Sequence, residues 1–326
     1  MFSLTEIDEE EWQREWEAGH NTTYFQSPGW HRIWQLISSH TTSISAFKLR
    51  DGRENVAGVF PVFKTTEYGI SRHFSSCAGT FGGLILPDKF TLNPEHIRQI
   101  GKQFANLNWR LSPECAPSNI ESNISRVQAD YTHRLDLTAG IDAIEYYWSR
   151  GKSGVARKAG IAGDHGITIR QAATANEWKS YYDIYLQNTK IWDPPPSVVY
   201  PYELFDQLRV QGDSYVKLWL AFSSDNQIIS GALCLYSPAT CVYWNGATDP
   251  DQRKLFSTNL LLCTAIRDSA SRGLSIFDFN PSGRIRSVER FKESFGAEKA
   301  YAPVFDNRKG IVTAAAKLKS LFKKKW

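Results

Sequence analysis

Between residues 214 and 247 the chain reads SYVKLWLAFS, QIISGALCLY and TCVYWNGA, with only SDNQ and SPAT to turn between the runs. Runs rich in β-branched and aromatic residues, joined by such short polar turns, predict a three-stranded meander. An apolar periodic segment follows, roughly Ser257 to Arg272, and Gly273 stands where a helix would stop. LSIFDF then predicts a strand, SVERFKESFG a short helix and KAYAPVFD a final strand. Upstream, GITIRQA (166–172) predicts a strand and ATANEWKSYYDIYLQNTK an amphipathic helix. WDPPPS ends that helix, because proline lacks the N–H a helix needs, and YPYELFDQLRVQG restarts one. The second half therefore reads strand, helix, helix, three strands, helix, strand, helix, strand.

The first half runs in a similar order. EEEWQREWEAG puts Trp12 and Trp16 on one helical face before Gly19. In FQSPGWHRIWQLI, Ser27 is placed to cap a helix and Pro28 to open it, and Trp30, Ile33, Trp34 and Ile37 form a stripe. SISAFKL, NVAGVFPVFK and GTFGGLIL predict strands, NPEHIRQIGKQFANL a helix, and NWRLS and YTHRLDL short strands. A helix is expected from Ile141 to Ala162. No sequence repeat is visible, yet the two halves predict one architecture used twice, with the boundary near 138–165. The expected organisation is an α+β protein of mixed sheets with domains at 1–150 and 151–310, followed by a basic segment at 311–326.

Composition narrows the class of function. The net charge is +4, but AAAKLKSLFKKKW holds five lysines, and without them the rest carries −1. A near-neutral body is a poor general nucleic-acid binder. The basic segment suits contact with an anionic lipid surface or RNA, or is a solvated helix. No run of 18 apolar residues predicts a membrane span, and MFSLTEIDEEEW has no apolar leader core. Five scattered cysteines without CxxC suggest buried free thiols in a reducing cytoplasm, and the seven histidines lack metal-ligand spacing, so no metal is expected. GKS at 151–153 fails as a phosphate loop because Tyr146 stands where the first glycine belongs.

The order of elements, with FQSPGW (25–30), VAGVFPVF followed by TFGGLIL, RKAGIAGDHGITI (157–169), GALCLY…VYWNGATDPDQRKLFSTNLLL and GLSIFDFNPSGRIRSVERFKESFGA, resembles the FemABX-like family. The resemblance spans most of the chain and implies two GNAT-like domains in tandem. It implies an acyl- or aminoacyltransferase acting on an amine of a cell-envelope (peptidoglycan or polysaccharide) precursor, from acyl-CoA or aminoacyl-tRNA as co-substrate. The coiled-coil insertion of some tRNA-dependent members is not visible. A cytoplasmic monomer is the expected form. The competing reading is a non-catalytic tandem GNAT module that binds an anionic glycan or nucleotide-sugar.

Several residues follow as candidates. GNAT phosphate cradles resemble Arg/Gln-x-x-Gly-x-Gly/Ala at a helix start. RKAGIA (157–162) fits the letters but lies between a helix and a strand. RKLFST (253–258) lies in the right place, with Phe256 where the glycine belongs. Arg253, Ser257 and Thr258 there, with Trp244 and Asn245 at the end of the meander, are the expected donor-binding residues. Asp278, at the end of its strand, is expected at a mouth, either as a base that orients the amine or as a cap of the turn NPSG. Lys292 lies beside the apolar face made by Val288, Phe291 and Phe295, which would hold its stem down and its ammonium near a cleft. The resemblance, which carries Phe-Lys here, favours a catalytic role. Arg284, Arg286 and Arg290 crowd one short loop and could hold phosphate. Arg157 and Lys158 are a basic pair expected beside the substrate path, and Trp192 opens a rigid aromatic-proline loop that could cover it.

Overall fold

A computed structural model describes residues 2–308 except 21, 39, 40, 54, 68, 88, 89, 91, 118, 119, 121–123, 125, 151, 152, 194 and 197. The basic segment 311–326 and most of GKS therefore lie outside the described residues. The chain divides into two units, one of residues 1–21, 25–131 and 301–326, the other of 22–24 and 132–300. The crossing thus falls earlier than residue 150, and the chain after Ala300 returns to the first unit.

The first unit contains β1 (Ser3–Ile7), α1 (Glu9–Ala18), α2 (Pro28–Ile37), β2 (Thr41–Arg50), β3 (Val56–Glu67), β4 (Ile70–Phe74), α3 (Pro94–Gln103), β5 (Leu107–Arg110) and β6 (Val127–Gln128). The Ser27 hydroxyl accepts the Trp30 amide at 3.1 Å and Pro28 opens α2, as the sequence predicts. GTFGGLIL does not form a strand. It makes only isolated bridges, Val59 to Ile85 and Gly82 to Leu111, because Gly79 and Gly83 take positive φ and Gly83 packs under Trp109, where a Cβ would meet the indole at 2.0 Å. ISRHF forms β4 instead.

The second unit contains β7 (Tyr131–Asp136), α4 (Ile141–Ser149), α5 (Val155–Asp164), β8 (Thr168–Gln171), α6 (Ala175–Ile191), α7 (Tyr202–Gln211), β9 (Val216–Phe222), β10 (Ile228–Tyr236), β11 (Thr240–Thr248), α8 (Ser257–Ser271), β12 (Ile276–Asp278), α9 (Arg286–Ser294) and β13 (Glu298–Tyr301). The expected helix from Ile141 to Ala162 is two, divided where Gly154 takes the left-handed conformation ahead of α5. The single strand expected from KAYAPVFD is also two: β13 joins the second sheet, and β14 (Val304–Asp306) joins the first. Pro303 separates them.

The two sheets repeat one plan. The first runs β1-β2-β3-β4-β5-β14-β6 and the second β13-β7-β12-β11-β10-β9-β8. In each, an antiparallel meander (β2–β4, β9–β11) leads through a helix (α3, α8) to a parallel neighbour (β5, β12). In each, an antiparallel strand from elsewhere in the chain then flanks that neighbour (β14, β7). Each unit has its own core. Phe60, Trp109, Leu107, Ile97 and Phe305 are buried in the first, and Leu262, Ile266, Phe277, Phe279, Phe295 and Trp148 in the second. All five cysteines are buried and unpaired.

Candidate active site

β11 and β12 pair in parallel for three residues only, Thr240 with Ile276, Cys241 with Phe277 and Val242 with Asp278. Beyond that point the strands part. Phe279 keeps bonding outward, its amide donating to the His133 carbonyl on β7 at 2.8 Å, while β11 runs on to Thr248 with no ladder partner on this side among the described residues. A wedge thus opens inside the sheet. A β-sheet backbone normally satisfies its N–H and C=O groups across the ladder, so strand edges facing such a wedge can receive an extended ligand.

A β-bulge shapes the β11 wall. Leu233 faces Asn245 and Cys234 faces Tyr243, so Trp244 is the extra residue. Two residues against one put successive side chains on one face. The Trp244 ring accordingly packs 5.1 Å from Tyr200, while Asn245 Oδ1 accepts the Tyr181 hydroxyl at 2.5 Å. Both partners come from the α6–α7 side. Tyr181 can approach because Gly231 lies beneath it, where a Cβ would meet its ring at 2.4 Å.

At the far end of β11, a cavity of about 250 Å³ is lined by Asn188, Tyr243, Gly246, Thr248, Arg253 and Thr258. The Asn188 amide donates to the Thr248 carbonyl at 2.8 Å, and the Arg253 guanidinium donates to Asn188 Oδ1 at 3.4 Å. The Thr258 hydroxyl meets that of Thr248 at 2.7 Å, whereas Ser257 is buried and accepts the Ser230 hydroxyl at 2.8 Å. The structure therefore brings Arg253 and Thr258 together and turns Ser257 inward. Asn188, Tyr243 and Thr248 were not anticipated. Asn188 sits in the last turn of α6, 65 residues from Arg253, and no local pattern links the two.

Phe256 holds φ 53° and ψ 26°, the left-handed conformation. It occupies the glycine's position in the glycine's geometry, so the turn into α8 keeps its shape without glycine. A non-glycine residue there stores about 1 kcal/mol or more. Lys158 of α5 lies 5.7 Å from the centre of the Phe256 ring, next to the positive end of the α8 dipole. Arg157, one residue earlier, is exposed. Phe256→Ala keeps the strain and loses the ring, while Phe256→Gly loses the ring and the strain together. Phe256→Ala should therefore be less stable than Phe256→Gly by about 1 kcal/mol, read as the difference in denaturant midpoint.

β12 ends at Asp278, and the chain just past it meets Lys292 of α9. Asp278 is not at a mouth. It is fully buried, and its Oδ1 accepts the Thr132 hydroxyl at 2.5 Å and the Asn280 amide at 2.7 Å, while Oδ2 accepts Arg134 Nε at 2.6 Å. The Asn280 bond is the turn cap anticipated as the alternative. The reason is topological: β7 inserts beside β12 and brings Thr132 and Arg134 to the carboxylate.

Lys292 is 4% exposed, the buried residue of α9. Its Nζ donates to the Asn280 carbonyl at 2.5 Å. Asn280 is held in the left-handed region at φ 64°, which aims that carbonyl back at the lysine. Burial lowers the Lys292 pKa to about 8, against the opposing pull of Asp278 and Glu289. His133 is also buried, with Nδ1 3.4 Å from the Ser282 hydroxyl and Nε2 3.8 Å from a Glu293 carboxylate oxygen. Burial, then the nearby Lys292 charge, lowers its pKa. Val288 and Phe291 are half-buried and Phe295 fully buried, so the expected apolar face of α9 forms.

The three arginines are exposed. Arg286 reaches two carboxylates, Glu289 at 3.1 Å and Glu293 at 3.2 Å, so its charge is largely met within the helix. Arg284 holds φ 64° in the loop. Trp192 is half-buried, its ring 6.1 Å from Tyr185 at the start of the proline loop. Tyr185 also holds the loop's other end, its hydroxyl accepting the Tyr200 amide at 3.0 Å.

The second unit has a parallel strand pair, β11 and β12, joined through α8, and its residues 153–293 match the family described as "Acetyltransferase (GNAT) domain". The whole chain is FemABX-like in fold, two GNAT-like units in tandem. The crystal structure of FemX superimposes with a TM-score of 0.67 at 12% identity, covering 98% of this chain and 100% of that one. A tandem GNAT protein from the clavulanic acid biosynthesis pathway superimposes at 0.51 and 9% identity, covering 93% and 98%. The C-terminal domain of a putative lysylphosphatidylglycerol synthetase from Agrobacterium fabrum gives 0.54 at 10% identity, covering 95% of each. No curated protein sequence matches the chain. Among the described residues, no helix is long and apolar enough to cross a membrane.

Proposed function

We propose that the protein is an N-acyltransferase, moving an acyl or aminoacyl group from a thioester or ester donor to an amine of a cell-envelope precursor. What supports this reading is the buried Lys292 ammonium, bound to the Asn280 carbonyl two residues past β12, the strand that parts from β11. The acyl carbon lies in the wedge, extended along β11, and the rest of the donor runs toward Arg253, Thr258 and the start of α8. The acceptor nitrogen attacks the carbonyl, forming C–N as the C–S or C–O bond breaks. The amine proton leaves with the donor's thiolate or alkoxide, or to water. One N–H of Lys292 is bound to Asn280, which leaves two to stabilise the developing oxyanion in a water-poor site. Asp278, with both oxygens engaged, orients the loop that holds Lys292 and takes no proton itself.

Thermal melting with acetyl-CoA, with aminoacyl-tRNA and with UDP-sugars tests the donor site first. A ligand that binds only the folded state at about 100 times its dissociation constant adds roughly 2.7 kcal/mol. The expected result is a rise with an acyl or aminoacyl donor that Arg253→Ala removes. A rise with UDP-sugar alone, with no transfer to any amine, would overturn the enzymatic reading in favour of a binding module.

A further inference from the structure

The turn that receives Lys292 is strained and tied down. Asn280, Gly283 and Arg284 hold positive φ, at 64°, 59° and 64°, a region that costs energy for the two that are not glycine. The Phe279 amide donates to the His133 carbonyl at 2.8 Å, the Asn280 amide to Asp278 Oδ1 at 2.7 Å and Lys292 Nζ to the Asn280 carbonyl at 2.5 Å. A longer bond joins the Ser282 hydroxyl to His133 Nδ1 at 3.4 Å. β7 thus serves the turn with both of its faces, because successive side chains of a strand point opposite ways. Thr132 and Arg134 reach Asp278, and His133, between them, reaches Ser282 and α9.

His133 is buried, and its Nε2 makes no hydrogen bond among the described residues, with a Glu293 carboxylate oxygen 3.8 Å away. A buried polar atom left unpaired costs stability and calls for a role. As a neutral imidazole, His133 can accept the Ser282 hydroxyl at Nδ1. Once protonated, both its nitrogens donate and that bond must reverse. Protonation also adds a positive charge near the Lys292 ammonium in a buried site. Lys299 of β13 adds to the repulsion, whereas Glu289 and Glu293 of α9 oppose it, each already shared with Arg286.

We propose that His133 is a positioning residue for Lys292 that acts in its neutral form: it fixes the 279–282 turn on which the ammonium rests, and its protonation loosens that turn. The consequence for turnover rests on the acyl-transfer reading, and the hold on the turn does not. Burial, then Lys292, lowers the His133 pKa from the ordinary 6.5, so below that value the loosened turn binds more protons than the held one. The hold is complete above 6.5 and weakens as pH falls through the lowered native value, by about tenfold for each unit of the lowering.

The test is amide exchange of residues 279–285 in the full chain, corrected for its intrinsic pH dependence, from above 6.5 to below the native value. Protection should fall in the parent as pH drops. His133→Asn, which can hold Ser282 as Nδ1 does and has no proton to gain, should stay protected throughout. His133→Leu, which fills the space without a polar atom, should lose about three- to tenfold in protection at every pH, the worth of one hydrogen bond. In an acyl-transfer assay the parent should lose turnover on the acid side with KM for the donor unchanged. His133→Asn should keep turnover there and still lose it as pH rises through about 8. Protonation of the acceptor amine acts equally on both proteins. Protection in the parent that ignores pH, a His133→Leu variant as protected as the parent, or an acid loss retained in His133→Asn would each overturn the proposal. If the parent moves no acyl group to any amine while the exchange results hold, the acyl-transfer reading fails and the hold of His133 on the turn stands.

Discussion

Lys292→Met should lower the turnover number for acyl transfer by about 10²–10³, the usual loss when one oxyanion donor is removed, while leaving donor affinity nearly intact. Methionine matches the length of the stem and keeps α9 packed. It also removes a charge whose burial is unfavourable, so the variant should melt no lower than the parent. The pH dependence separates this role from that of a base. A lysine acting as the cation works while protonated, so turnover should fall as pH rises through about 8. A base would show the reverse. Stability moves the other way. Burial lowers the Lys292 pKa from 10.5 to about 8, so between those values the unfolded chain binds more protons than the folded one. Folding stability attributable to this group therefore rises across that window, by about 3 kcal/mol in all. Lys292→Met should abolish the rise, as read by denaturant titrations at the two ends of the window.

Asp278→Ala should destabilise the second unit by about 3–5 kcal/mol, the range for breaking a buried pair by removing one partner. The carboxylate accepts three hydrogen bonds with no exposure to water. Its loss removes the carboxylate that Arg134 binds beside β12 and frees the Asn280 amide. The check is a denaturant titration in which the midpoint falls and the slope is unchanged. Turnover per folded molecule should fall far less than in Lys292→Met. A stable Asp278→Ala protein with no turnover would instead make Asp278 the base.

The meander, α8 and the helices before it are legible because their signals are local. Alternation, turn residues and a 3.6 period lie within a few residues of one another, as do the Ser27 cap and the Gly273 stop. What is not legible depends on partners remote in sequence. The chain around Asp278 looks like the open end of a strand until β7 is laid beside it, and Thr132 is 146 residues away. The Trp244 bulge depends on a register against β10 that no single run encodes. Asn188 enters the cavity only because α6 ends above β11. Phe256 shows a different limit: the residue breaks the expected letter pattern while the backbone keeps the pattern's shape. Lys292 stands out in the sequence through the Phe-Lys of the family resemblance more than through the apolar face it borders, and its depth of burial is a tertiary result.

The route of β14 also bears on the order of events during synthesis. Its pairing residue Val304 lies opposite Arg110, and residues 132–300 of the second unit must be translated between them. At typical elongation rates that interval is roughly 10–40 s. During it β5 stands as a sheet edge and Trp109 lacks the Phe305 wall of its core. A nascent first unit is thus a template waiting for its last strand, and the ribosome finishes the second unit before the first can close.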